Sequence, residues 1–268
     1  MVLSLGLASV RRAVEDAIPL LSAESAVLEV EAGGATIVGD THGDLETTER
    51  VLDRIGRGVI IFLGDYVDRG PHQLENIVRL LEAKRDEPKR IYLLRGNHET
   101  REMNMYYGFY GVVSRRLGPG AYGLFANLYS TLPVGCVLNR SSILVHGGVP
   151  EGADSIRDVA SRGKQGEDLE DEVVFQVLWN DPREGVEEFG PSPRGGGARV
   201  FGRRALERFL EASGCERLFR AHEPVPSGYE ALFGGKLYTV FSCRFYGIMP
   251  AVAEIGAGGV SFRYVDDL

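Results

Sequence analysis

GVIIFLGD, residues 58–65, is the stretch whose reading decides the fold. Its apolar run is unbroken, rich in β-branched residues and too short for a buried helix. It therefore reads as a strand covered on both faces, stopping at Gly64-Asp65. The same design lies on either side. Upstream, the apolar residues 35–38 end in Gly39-Asp40. Downstream, RIYLL at 90–94 ends in Arg95-Gly96-Asn97-His98. Between these strands, residues 45–55 and 74–81 place apolar side chains at helical spacing. Residues 8–22 are also helical by period, with an interruption at Pro19, and residues 100–128 are helical around a break near Gly118-Pro119-Gly120. Residues 134–138 and 143–145 read as strands, the second ending in His146-Gly147-Gly148. Residues 163–202 are rich in Gly, Pro and charge, with one helical piece at 173–178, and read as loops over a site. A helix at 205–210 follows. The short strands expected at 217–220, 228–232, 237–241, 251–255 and 260–264 should be largely antiparallel. Strand–helix alternation followed by a β-meander predicts a mixed α/β sandwich rather than a doubly wound sheet. A single domain over residues 1–268 is expected.

Composition narrows the function. The formal net charge is −8, whereas nucleic-acid binding leaves a basic footprint. The three cysteines, Cys136, Cys215 and Cys243, are odd in number and form no CxxC pair, so neither a zinc ribbon nor a thioredoxin-like motif is available. They fit a reducing compartment, and a cytoplasmic protein is expected. The N-terminal MVLSLGLASVRR puts its apolar run before its charges, the reverse of a secretory signal. No apolar stretch is long enough to span a bilayer, so no membrane partner is expected.

Polar residues gather where the strands end, which in α/β folds is where ligands bind. Asp40 and His42 share one turn, Asp65 follows the next strand, Asn97 and His98 the third, His146 a fourth, and His222 the segment 217–221. Any one of these, alone, is more often a simple turn or a satisfied core histidine. Together they take four of the five histidines, leaving only His72, read as a surface helix residue. Five or six N/O donors from separate strand ends exceed what one metal needs. A His, Asp and Asn set without thiolate suits manganese, iron, zinc or cobalt. Two-metal sites, with ions roughly 3.5–4 Å apart, mainly perform in-line displacement at phosphorus. Asp65, the middle ligand in chain order, is the natural bridge. Arginine forks suit phosphoryl oxygens. The candidates are Arg69, which could otherwise pair with Asp68, and Arg194, which could otherwise be merely solvated.

These residues resemble the phosphoprotein phosphatase family of metallophosphoesterases. GDTHGD (39–44) looks like its first signature, GDYVDRG (64–70) matches the second and RGNHE (95–99) the third. HGG (146–148) and RAHEP (220–224) look like its last two metal-binding segments, and VLWNDP (177–182) is similar to a stretch of the serine/threonine members. The resemblance covers about Val38 to Tyr246. It implies a central β-sandwich flanked by helices and two divalent metals, manganese first. Asp40 and His42 would hold the first metal, Asp65 would bridge, and Asn97, His146 and His222 would hold the second. A bridging hydroxide would attack the phosphomonoester of a phosphoprotein. His98, supported by Asp68, would be the general acid. Arg69 and Arg194, with Asn97, would hold the phosphate, and Tyr246 lies where the family has a tyrosine near the site. Two departures stand out. Asp44 replaces the Gln usual in eukaryotic members, and FSCRFYG (241–247) differs from their SAPNY-containing segment, with Gly247 where a reactive Cys often lies. Both point to an archaeal or bacterial member. The expected activity is a protein serine/threonine phosphatase. The alternative is a diadenosine tetraphosphatase or nucleotide phosphodiesterase on the same scaffold. A catalytically dead binding scaffold would have lost ligands, and all are present. The partners expected are a phosphoprotein substrate and a regulatory protein, with no nucleic acid and no membrane.

Overall fold

In a computed structural model, which describes residues 5–56 and 58–268, the run at 59–62 is a fully paired central strand. Residues 1–4 of the N-terminal apolar run lie outside the described residues. In chain order the strands are β1 (Val27–Val30), β2 (Ala35–Val38), β3 (Val59–Phe62), β4 (Ile91–Leu93), β5 (Gly135–Leu138), β6 (Ser142–Val145), β7 (Asp181–Pro182), β8 (Phe189–Pro191), β9 (Arg199–Phe201), β10 (Arg217–Arg220), β11 (Tyr229–Leu232), β12 (Leu237–Val240), β13 (Ala251–Gly256) and β14 (Gly259–Tyr264). The helices are α1 (Leu7–Ser22), α2 (Leu45–Arg54), α3 (Gln73–Asp86), α4 (Arg101–Tyr107), α5 (Phe109–Leu117), α6 (Gly123–Tyr129), α7 (Ile156–Ser161), α8 (Glu172–Trp179) and α9 (Arg203–Ser213).

The strands form two large sheets, ordered β14-β13-β2-β3-β4 and β1-β5-β6-β10-β12-β11, and a small one, β7-β9-β8. Ile37, Ile61 and Leu94 of the first sheet pack against Leu144, Phe219 and Val240 of the second, so one core lies between them. The outer face of the five-stranded sheet, including Ile60 and Phe62, buries the apolar stripes of α1, α2, α3, α5 and α6. The outer face of the six-stranded sheet, including Ile143 and Leu218, is covered by α7, α8 and α9. Covering both faces explains why β2 and β3 are apolar at successive rather than alternate positions. The result is the expected sandwich flanked by helices.

Four local readings are corrected or refined. Helix α1 continues through Pro19. Pro19 and Glu15, the residue whose carbonyl loses its partner, both face solvent, where water can take the missing donor's place. The C-terminal strands are largely antiparallel, as β11–β12, β13–β14 and β13–β2 show, but β10 is an exception and pairs in parallel with both β6 and β12. Residues 163–202 are not only loops, because β7, β8 and β9 lie within them. His72 sits at the N-cap of α3 rather than in the helix, and is half-buried.

The registers Val38↔Phe62 and Phe62↔Leu93 bring the ends of β2, β3 and β4 level. The second sheet delivers the turns after β6 and β10 to the same place, where the Ala221 amide donates to the His146 carbonyl at 3.0 Å. All five polar turns therefore meet at one end of the sandwich.

Candidate active site

Five non-glycine residues of these turns hold positive φ: His42 (43°), Asp65 (57°), Asp68 (66°), Arg69 (69°) and His222 (69°). Such conformations are costly and persist where surrounding contacts over-determine them, typically at functional sites. Here the contacts are visible. The amides of Thr41 and His42 both donate to the Asp65 carbonyl. The buried Glu99 carboxylate accepts from the amides of Asp65 (2.8 Å), Tyr66 (2.9 Å) and Gly96 (2.8 Å). Gly96 must be glycine, because a Cβ there would lie 2.2 Å from Asp65 Oδ1.

Backbone carbonyls set the imidazole orientations. His42 Nδ1 donates to the Val67 carbonyl (2.8 Å) and His146 Nδ1 to that of Leu63 (3.0 Å). With Nδ1 so engaged, Nε2 is the nitrogen that each ring turns to the interior. His42 Nε2 lies 3.5 Å from both Asp40 Oδ2 and Asp65 Oδ2. His146 Nε2 lies 3.4 Å from Asp65 Oδ1 and 2.9 Å from Asn97 Oδ1. His222 donates its backbone amide to Asp40 Oδ1, and its Nε2 is buried without a hydrogen-bond partner. Potential ligand atoms fall into two groups, His42–Asp65–His98 and Asp65–His146–His222, each within 4.8 Å, and Asp65 belongs to both.

Electrostatics separates the histidines. Burial opposes charge on His42, but the carboxylates of Asp40 and Asp65 prevail and lift its pKa to about 9. His222 goes the other way: burial, then His146, Arg194 and Arg220, hold it neutral. Asp65 is buried yet kept well below the ordinary carboxylate range, chiefly by His146 and His98. Burial and the Asp65 charge raise Glu99 to about 7. A neutral buried imidazole with an unpartnered nitrogen, beside carboxylates that attract positive charge, suits a cation. The donor set thus fits the divalent metals that the fold family implies.

The flanking residues are placed as follows. His98 Nδ1 bonds Asp68 Oδ2 at 2.7 Å, and Asp68 is held in turn by the Asn104 side-chain amide and the Phe109 backbone amide, both at 2.9 Å. His98 Nε2 lies 3.9 Å from Asp65 Oδ2. Arg69 does not pair with Asp68. It is exposed within a run of buried residues, its guanidinium 4.1 Å from the Tyr107 ring and 5.6 Å from that of Tyr246. Tyr246 also lies 5.7 Å from the His42 ring. Arg194 is not simply solvated, since its Nε bonds Asp181 Oδ2. Asp181 also binds Arg220 at 2.7 Å and lies 3.9 Å from His222 Nε2. Four residues near the site went unassigned in the sequence. Glu99 and Asp181 stand inside quoted motifs, but nothing in one sequence marks a buried acceptor. Asn104 and Tyr107 lie in a helical stretch whose inward face only the fold defines.

A family model described as calcineurin-like phosphoesterase matches residues 35–226, the span holding every ligand atom described above. This chain belongs to that family. It is 38% identical over 245 residues, 88% of its length and 78% of the relative's, to the serine/threonine-protein phosphatase 4 catalytic subunit of Saccharomyces cerevisiae. It is 37% identical over 234 residues to a probable serine/threonine-protein phosphatase of Encephalitozoon cuniculi, where it spans 85% of itself but only 50% of the relative. A solved protein serine/threonine phosphatase from Saccharomyces cerevisiae superposes with a TM-score of 0.90 at 26% identity, over 97% of this chain and 90% of the other. These relatives are eukaryotic, so the expected archaeal or bacterial membership finds no support in them. The protein is a phosphoesterase of the serine/threonine phosphatase group.

Proposed function

We propose that this phosphoesterase is a metal-dependent protein serine/threonine phosphatase, with residues 1–268 acting as one catalytic domain. The carrying observation is Asp65, shared by two ligand groups, with an exposed arginine four residues later. Asp40, His42 and Asp65 would hold one cation; Asp65, Asn97, His146 and His222 would hold the other. We expect manganese, with iron, zinc or cobalt as alternatives, because the donors are nitrogen and oxygen without thiolate. When bound, a divalent pair supplies Lewis acidity toward phosphoryl oxygen and makes water a competent nucleophile at neutral pH. Arg69 and Arg194 would bind phosphoryl oxygens with the Asn97 amide, and Tyr246 would close one side. His98, its Nδ1 engaged by Asp68, keeps Nε2 free to hand a proton to the departing serine or threonine oxygen. Three unpaired cysteines support a cytoplasmic location, and among the described residues no helix is long and apolar enough to cross a membrane.

The test is hydrolysis of phosphoserine, phosphothreonine and phosphotyrosine peptides across Mn, Mg, Fe, Zn and Co, with diadenosine tetraphosphate alongside. Preference for the first two peptides supports the proposal. Preference for the dinucleotide overturns it in favour of a nucleotide hydrolase.

Arg69 gives a sharper check. Losing one charge-assisted hydrogen bond costs about 1.5–3 kcal/mol. Arg69→Ala should therefore weaken inhibition by inorganic phosphate about 10- to 100-fold, with metal content unchanged. Undiminished inhibition would remove Arg69 from the phosphate site. The same measurement on Arg194→Ala asks whether that guanidinium, already bound to Asp181, also reaches phosphate.

A further inference from the structure

We propose that Arg244, gripped by Asp44, is a positioning residue that fixes Tyr246 against Arg69 and His42, so that phosphate affinity depends on an ion pair outside the ligand groups. This rests on the phosphatase reading above. After β12 the chain is anchored by an isolated bridge between Phe241 and Asp40, and by Ser242 Oγ, which accepts from the Gly39 amide and donates to the Ala251 carbonyl. It is anchored again where the Met249 amide meets the Pro226 carbonyl. Between these points, among the described residues, every hydrogen bond from 243–248 to the body of the protein comes from Arg244.

That attachment is dense. The Arg244 amide and Nε donate to Asp44 Oδ2 at 2.9 and 3.1 Å, and Nη2 reaches Asp44 Oδ1 at 2.9 Å and Glu46 at 2.8 Å. Asp44 is buried and also accepts from the Thr47 amide and hydroxyl as the N-cap of α2. It stands two residues after His42, on the turn that also carries Asp40. Arg244 opens a single 3-10 turn that ends at Tyr246, and Gly247 (φ 68°) terminates it. Its position therefore fixes Tyr246 two residues on. The remaining hold on the turn is apolar: Tyr246 packs edge-on against Phe241 with centroids 4.9 Å apart, while Phe245 between them is 54% exposed. A paired, bidentate arginine supplies directional fixing that such packing lacks. The two departures from the family pattern, at Asp44 and in residues 241–247, thus touch each other, and they act as one unit.

A double-mutant cycle between Arg244 and Tyr246 tests this, using p-nitrophenyl phosphate as substrate and inorganic phosphate as inhibitor. Arg244→Gln should raise KM and the phosphate inhibition constant about tenfold while leaving kcat within about twofold. In a Tyr246→Ala background the same change should add nothing beyond about twofold, because the residue it positions is gone. Arg244→Lys should recover part of the loss. Hydrogen exchange should quicken at 243–248 in Arg244→Gln but not in β2 or α2. Equal losses in both backgrounds, or an unchanged KM, would overturn the proposal. If Arg244→Gln does not fold, Asp44→Asn, which keeps an N-cap acceptor, takes its place in the cycle. A parent protein inactive on every phosphomonoester would defeat the phosphatase reading instead. Calorimetric phosphate binding and exchange at 243–248 would then still decide whether the ion pair positions Tyr246.

Discussion

On a phosphoserine peptide, His98→Asn should turn over about 10²–10⁴-fold more slowly, the usual worth of general acid catalysis. On an aryl phosphate with an acidic phenol the loss should be within about tenfold, because a stabilised phenolate leaves without a proton while a serine alkoxide does not. The structure gives the reason to expect a proton donor rather than a ligand. His98 Nδ1 is committed to Asp68 at 2.7 Å, and Asn104 and the Phe109 amide hold that carboxylate in place. Nε2 is then the only nitrogen that can reach a leaving group, and it stands back 3.9 Å from Asp65 Oδ2. His42 and His146 direct Nδ1 to backbone carbonyls instead. Yet His98 also falls geometrically in a ligand group with His42 and Asp65. Metal content therefore has to be measured beside the kinetics. Loss of a metal would make His98 a ligand. Equal losses on both substrates with metals retained would make it a binder of phosphoryl oxygen.

What could be read from the sequence is what changes abruptly along it. Residues 35–38 and 59–62 are apolar and stop at Gly-Asp, so both the strands and the polar turns were visible together, and with them Asp40, His42, Asp65, Asn97, His98 and His146. Strand partners were not visible. The segment 217–220 has a strand's composition whether its neighbours are parallel or antiparallel, and only the fold places it between β6 and β12. Strand β1 gives little signal because the exposed Glu29 interrupts the apolar run of VLEV. Long-range polar contacts were equally hidden. Glu99 holds three amides from two turns, Asp181 joins Arg194 to Arg220, and Asp44 meets Arg244 across 200 positions of chain. Each of these carboxylates stands inside a motif, but its partners are set by tertiary structure alone.

Asp65→Asn should lose more metal than Asp40→Asn, and should lose it from both halves of the site. Asp65 presents Oδ1 toward His146 at 3.4 Å and Oδ2 toward His42 at 3.5 Å, so its charge lies between the two ligand groups. Asp40 Oδ2 faces His42, while its Oδ1 is already engaged by the His222 amide. Removing an outer-shell partner of a metal ligand typically costs about 10–100-fold in affinity. Loss of a carboxylate shared by both groups should exceed that range. An asparagine keeps one carbonyl oxygen and can still accept the His98 amide that Asp65 Oδ1 receives at 2.9 Å. The Asp65 and Tyr66 amides remain bonded to Glu99, so the turn should survive the change. Circular dichroism would check the fold, and elemental analysis after dialysis would count the metals. Asp65→Asn is expected to retain less than about one ion per chain, and Asp40→Asn about one, kept by the Asn97, His146 and His222 side. Equal occupancy in the two variants would mean that Asp65 serves one cation only, and the bridging assignment would fall.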